Sequence, residues 1–274
     1  MLYKDVAQGV QMSQLPDENM AARRTLISTD QATAPVPMWQ EALFGLEILL
    51  LRATPAYYGI GVPRGDGSGV VMIPGFLGTD IYLMDMYAWL ERIGYHAYYS
   101  GIGLNAECPN LLIKRRLNDT IDRARDETGR PVHLIGHSLG GIIARSAARQ
   151  RTADIACVIT LGSPFRGTVV HSRVLKVAEI VRNRILSTHG PGVLPDCYTG
   201  RCTCHFMDSL KKDLPDSISQ TAIYTRSDGV VDWQYCITDD PAVDVEVPGT
   251  HIGLAFNPAV YETIAKRLAA AKPQ

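Results

Sequence analysis

A serine framed by glycines, Gly136-His137-Ser138-Leu139-Gly140-Gly141, follows directly on the apolar run Pro131-Val132-His133-Leu134-Ile135. A strand that turns sharply into a helix at such a place holds the serine backbone in a strained conformation. Only residues without a Cβ two positions to either side let the chain pass itself. The turn lifts the Ser138 hydroxyl clear of the strand and aims the next backbone N–H groups at its target. The chemistry implied is nucleophilic attack on an acyl carbon. Helix formers with an apolar face, Ile142 to Arg149, complete the strand–turn–helix context and set this segment apart from a glycine-rich turn holding an incidental serine.

A serine hydroxyl is a weak nucleophile near neutral pH and needs a base that is itself oriented by an acid. On a strand-to-helix serine, the acid and then the base are expected downstream. The apolar stretch Gln220 to Thr225 reads as a buried strand running into Arg226-Ser227-Asp228-Gly229-Val230-Val231, where Asp228-Gly229 marks a tight turn at the strand's end. Asp228 is the expected acid, with Asp232 as the competing choice. The alternating run Val243-Asp244-Val245-Glu246-Val247 reads as a last strand, and Pro248-Gly249-Thr250-His251 as the loop before the terminal helix, making His251 the base. His133 and His96 fall inside apolar strands, and His137 is expected to pack beside the site rather than act as its base.

Negative charge developing on a carbonyl oxygen needs preorganised donors. One expected donor is the backbone N–H of Leu139, at a helix N-terminus whose dipole adds its positive end. The other should come from the loop after an earlier strand. Gly69 to Ile73 followed by Pro74-Gly75-Phe76-Leu77-Gly78 fits, with Phe76 preferred as donor and Leu77 as the alternative.

Five segments together make the chain resemble an α/β-hydrolase of the bacterial lipase and esterase kind: Pro74 to Gly78, Gly136 to Gly141, Leu161-Gly162-Ser163-Pro164-Phe165-Arg166-Gly167, Ser227 to Val231, and Gly249-Thr250-His251-Ile252-Gly253-Leu254. The likeness runs from roughly residue 65 to the C-terminus. It departs from the lipase pattern in two places. Phe165 stands where many lipases have a histidine, and the donor loop begins Pro-Gly rather than His-Gly, which points to the broader superfamily rather than to a triacylglycerol lipase. The resemblance implies an α/β fold with a mostly parallel central sheet flanked by helices. It also implies a serine hydrolase cleaving carboxylic esters through an acyl-enzyme on Ser138, with His251 and Asp228, and needing no metal or organic cofactor. An acyltransferase with an alcohol acceptor is the alternative, and a non-catalytic binding protein of the same fold is less favoured.

The elements that must position these groups follow from periodicity. Apolar strands are expected near 69–73, 94–99, 131–136, 155–161, 219–225 and 243–247, and helices near 81–92, 110–128, 139–150 and 257–270. The alternation places function at the C-terminal edge of a parallel sheet. Residues 1–37 read as an N-terminal arm and 38–274 as one domain. The long gap after the strand at 155–161 suggests a cap insertion at about 168–218. Expected pocket residues are Leu77, His137, Phe165, Val169, Leu175 and Phe206. Across Met38 to Arg52, Trp39, Leu43, Leu46 and Leu50 recur at helical spacing, and this stripe is expected to pack on its own domain rather than in lipid.

Cys197, Cys202, Cys204 and His205 crowd together within the insertion, but their spacing fits no common zinc motif, so no metal site is expected. A disulfide from Cys202 or Cys204 to Cys236 is the preferred reading, while Cys108 and Cys157 look structural. With 46% hydrophobic residues in 274 and a formal net charge of −1, the chain can bury one sizeable core and shows no electrostatic basis for binding nucleic acid. A small-molecule or lipid ester is the expected partner, with no stable membrane insertion. No secretory leader is visible, which makes the cytoplasm the default compartment, with a secreted form open if a leader was removed. Oligomeric state is left open.

Overall fold

In the computed structural model the residues described are 37–167, 170–189 and 203–271. Six parallel strands form one sheet in the order β2-β1-β3-β4-β5-β6: β1 Gly69–Ile73, β2 His96–Tyr99, β3 Val132–His137, β4 Ile155–Leu161, β5 Ser219–Tyr224 and β6 Asp244–Glu246. The central strands are near-continuous apolar runs because both faces of a parallel sheet are covered by its crossover helices. Successive residues divide between two cores: Val70 and Met72 of β1 join Trp89, Leu90, Tyr261 and Ile264 on one face, while Val71 and Ile73 join Ile113, Ile121, Ile143 and Ala147 on the other. The Trp89 indole donates to the Ala56 carbonyl at 2.8 Å, satisfying its one polar group inside the first core.

The helices are α1 Phe44–Arg52, α2 Met84–Ile93, α3 Pro109–Leu112, α4 Asn118–Thr128, α5 Leu139–Gln150, α6 Ser172–His189, α7 His205–Leu210 and α8 Pro258–Ala270. Between α3 and α4 a π-helical turn at Ile113–Leu117 interrupts what the sequence reads as one helix. All strands run parallel, but the direction of winding reverses after β2, which leaves β1 and β3 as neighbours. The loops after those two strands, Pro74 to Gly78 and the Ser138 turn, therefore face each other at the switch point where open α/β sheets place ligands.

The segment before β1 departs from the expectation drawn from its leucines. Met38–Leu43 is a 3₁₀ helix running into α1, and Trp39, Leu46 and Leu50 are 67%, 58% and 60% exposed. The inward positions are instead Glu41, 5% exposed, and the half-buried Glu47, beside the buried Leu51 and the packed Phe44 and Ile48. A 3₁₀ turn of three residues shifts the helical phase read at 3.6 per turn. The loops beneath the segment also present unsatisfied N–H groups, which carboxylates satisfy and leucines cannot.

The thiols also differ from expectation. Cys236 is buried and reduced, with its Sγ against the Asp232 carbonyl at 3.9 Å, so the expected disulfide to it is not formed. Cys197, Cys202 and Val169 lie outside the described residues. Among the described residues no helix is long and apolar enough to cross a membrane.

Candidate active site

Ser138 sits between β3 and α5 at φ 53°, ψ −122°, a region non-glycine residues rarely occupy. The strain is held by close backbone packing. A Cβ on Gly136 would collide with the Gly140 carbonyl and with Gly141, and one on Gly140 would collide with the Ile73 carbonyl at the end of β1. The Ser138 N–H donates to the Leu161 carbonyl of β4 at 2.8 Å, which ties the turn to the sheet. Leu139 opens α5, so its N–H belongs to the positive end of that helix.

Opposite the serine turn, the loop after β1 is organised by a residue the sequence reading did not single out. Asn105, fully buried, donates from Nδ2 to the Pro74 carbonyl at 2.8 Å and from its backbone N–H to the Gly78 carbonyl at 2.9 Å. Its own carbonyl accepts the Leu77 N–H at 2.9 Å. The Leu77 N–H, the alternative donor expected from sequence, is thereby spent on the scaffold. Nothing in local sequence marks Asn105, because it lies some thirty residues from its partners on an irregular stretch.

Asp228 and His251, the expected acid and base, meet as a buried pair. Asp228 Oδ2 accepts from His251 Nδ1 at 2.6 Å, with the two side chains 1% and 4% exposed. The other oxygen, Oδ1, accepts the Val230 and Val231 N–H groups at 2.8 and 2.7 Å, which fixes the carboxylate plane. A carboxylate only accepts, so the proton of this hydrogen bond lies on Nδ1. Asp232 instead caps the following 3₁₀ turn, accepting the Gln234 N–H at 3.0 Å. Burial opposes the imidazolium of His251, but the Asp228 charge and hydrogen bond, helped by Glu41, outweigh it, so its pKa is raised.

His137 packs against His251 with ring centroids 4.9 Å apart, and its Nε2 donates to the His251 carbonyl at 2.9 Å. Burial, reinforced by His251, pushes its pKa down to about 3, so it stays neutral and holds the loop without competing for protons. Tyr82 reinforces the same loop from the other side, donating to the Ile252 carbonyl at 2.7 Å.

Ser138, His251, Phe76 and Leu139 line one cavity of about 500 Å³ whose walls are largely aliphatic. Leu77 and His137 line it too, and Leu175 joins from α6 with Val174, Val177 and Ala178. Two expected pocket residues are elsewhere. Phe206, at the start of α7, is buried in the second core, where its carbonyl accepts the Ser146 hydroxyl at 2.9 Å. Phe165 lies beneath the Arg145 guanidinium, 4.1 Å from ring centroid to Cζ. Both aromatics satisfy packing demands behind the nucleophile helix rather than in front of it.

Comparison with known proteins agrees with this architecture. Residues 104–189, the stretch from before α3 to the end of α6, match the family model described as a PGAP1-like alpha/beta domain. No protein of curated function matches the chain by sequence. Among solved structures, the mature lipase BlEst2 from Bacillus licheniformis is 18% identical with a TM-score of 0.51, the match covering 76% of this chain and 95% of that one. A monoacylglycerol lipase from Paleococcus ferrophilus is 15% identical over 75% of this chain and 97% of its own, with a TM-score of 0.49. A soluble variant of the monoglyceride lipase from Saccharomyces cerevisiae is 17% identical over 78% and 91%, with a TM-score of 0.47. The fold is that of the α/β-hydrolases.

Proposed function

We propose that the protein is a serine hydrolase of carboxylic esters, with Ser138 as nucleophile, His251 as general base and Asp228 as the orienting acid. The observation that carries this reading is the buried Asp228–His251 pair, 2.6 Å apart, whose histidine lines the same cavity as the strained Ser138 turn. In the first half-reaction Ser138 Oγ attacks the ester carbonyl while His251 Nε2 takes its proton. The Phe76 and Leu139 N–H groups receive the developing oxyanion. As the tetrahedral species collapses, the C–O bond to the alcohol breaks and His251 returns the proton to it. Water, deprotonated by the same imidazole, then attacks the acyl-enzyme; the ester bond to Ser138 breaks, the acid departs and Oγ regains its proton.

The aliphatic walls suit a neutral ester with an apolar acyl group, with Leu77, His137 and Leu175 bordering it. Val169 precedes α6, and in this reading α6 and its surroundings, within 168–218, serve as a cap over the nucleophile. The test is hydrolysis of p-nitrophenyl esters from acetate to palmitate by wild type and Ser138→Ala. Turnover lost by roughly 10⁴-fold or more in the variant, with an unchanged melting temperature, is the expected result. Equal turnover by both proteins would exclude Ser138 as nucleophile. Ester turnover that diverts to added alcohols in preference to water would favour acyl transfer.

A further inference from the structure

The acid and base loops are joined by a side chain from far upstream. Glu41 Oε1 accepts the Gly229 N–H at 2.9 Å and the His251 N–H at 3.1 Å, and its Oε2 accepts the Ile252 N–H at 2.8 Å. One carboxylate thus grips the residue after the acid and the base residue itself. It is buried, and among the described residues no cation pairs with it; its charge is met by backbone donors alone. Gly229 permits the approach, since a Cβ there would lie 3.0 Å from Glu41 Oε1 and 3.3 Å from the Met38 Cα. A second carboxylate from the same segment, Glu47, accepts the Thr250 N–H at 2.9 Å and the Thr250 hydroxyl at 2.8 Å.

We infer that Glu41 is a positioning residue of the active site, a clamp from the N-terminal segment that sets the separation of the acid and base loops and so holds His251 against Asp228. The inference rests on the serine-hydrolase reading for its catalytic consequence, while the geometry it invokes does not. The acid loop is otherwise held by Asp228 Oδ1 and by its Val230 carbonyl, which accepts the His171 N–H at 2.7 Å, while Thr225 Oγ1 accepts the Ser227 N–H at 3.2 Å and donates to the Gly249 carbonyl of the base loop at 2.8 Å. Besides that Thr225 link and the Asp228–His251 bond itself, Glu41 ties the two loops from outside both, through backbone N–H groups of each. A misplacement of the base by a fraction of an ångström acts on the bond-making step and leaves substrate binding largely intact.

The groups facing His251 are Asp228 at Nδ1, His137 at its carbonyl, Glu41 at its backbone N–H, Tyr82 on the next carbonyl, Glu47 through Thr250, and Ser138 and Arg173 around the shared cavity. The negative charge of Glu41 favours the imidazolium. Replacing it by an amide therefore lowers the pKa of His251, and the acid limb of the kcat/KM profile moves to lower pH.

The experiment compares wild type, Glu41→Gln and Gly229→Ala by ester kinetics, melting temperature and NMR titration of the His251 ring. The amide of Glu41→Gln turns a donor toward the Ile252 N–H, and the added methyl of Gly229→Ala presses on the carboxylate. Each should lower kcat on the order of 10- to 100-fold with KM within about twofold. The acid limb and the ring titration should move to lower pH in Glu41→Gln. Should that variant not fold, Gly229→Ala carries the kinetic test. Normal kcat and an unmoved His251 titration in folded variants, with only a lower melting temperature, would overturn the inference and leave the hydrolase reading standing. An inert wild type whose His251 titration still moves in Glu41→Gln would keep the clamp and remove the hydrolase reading.

Discussion

The Ser138 turn and the loops bearing Asp228 and His251 border one cavity but are built on different terms. Ser138 is placed by backbone against backbone: glycines at 136 and 140, the end of β1 and the carbonyl of Leu161 define its conformation. Asp228 and His251 are placed by side chains that reach in from elsewhere, Glu41 and Glu47 from the N-terminal segment, His137 from β3 and Tyr82 from the turn before α2. Backbone packing gives the first region one conformation with few ways to fail partially. Hydrogen bonds to carboxylates give the second a set of separable supports, each of which can be weakened alone.

The largest expected break falls on the second region. Asp228→Asn keeps the shape of the site but loses the acceptor for the Nδ1 proton, and kcat should drop by roughly 10⁴-fold. Asp232→Asn should leave kcat near wild type, and the two measured side by side decide which aspartate orients the base. The first region should respond in stability instead. Gly140→Ala drives a methyl into the Ile73 carbonyl, so the midpoint of urea unfolding should fall by an amount worth roughly 2–4 kcal/mol. A fully stable Gly140→Ala protein would mean the turn is far softer than its packing implies. The smallest effect sharpens the contrast: Glu47→Gln should cost about 1 kcal/mol of stability and reduce kcat less than Glu41→Gln does, because Glu47 bonds the base loop alone.

The same contrast explains what could be read from sequence. The spans of β1, β4 and α5 follow from β-branched runs and from glycine spacing, which are local signals, and the Ser138 turn is written within six consecutive residues. The loops bearing Asp228 and His251 were also legible as loops, since a turn dipeptide and a strand end mark each one. Their supports were not. Glu41 lies 188 and 210 residues from Gly229 and His251, and one chain without relatives to compare carries no signal linking them. The leucine stripe from Trp39 to Leu50 misled for a physical reason: helical spacing shows that a face is apolar, but not which face the core will accept. Here the loops' unsatisfied N–H groups drew the carboxylate face inward. Sequence places Phe206 and Phe165 at the pocket because aromatics in an irregular stretch carry no directional information. Each found a place behind α5 instead.

The bridge from Glu41 to His251 has a consequence for the order in which the molecule becomes competent. In chain order Glu41 comes first, then Ser138, then His251, with 210 residues between the two bridged positions. Contacts of such separation are expensive in chain entropy and close late. The serine turn, whose partners Ile73 and Leu161 both come before residue 162, has those contacts in the chain well ahead of residue 251. Under the hydrolase reading, a chain arrested short of residue 251 lacks both the base and α8, whose Tyr261 and Ile264 complete the first core, so packing and hydrolytic power arrive together once that segment docks.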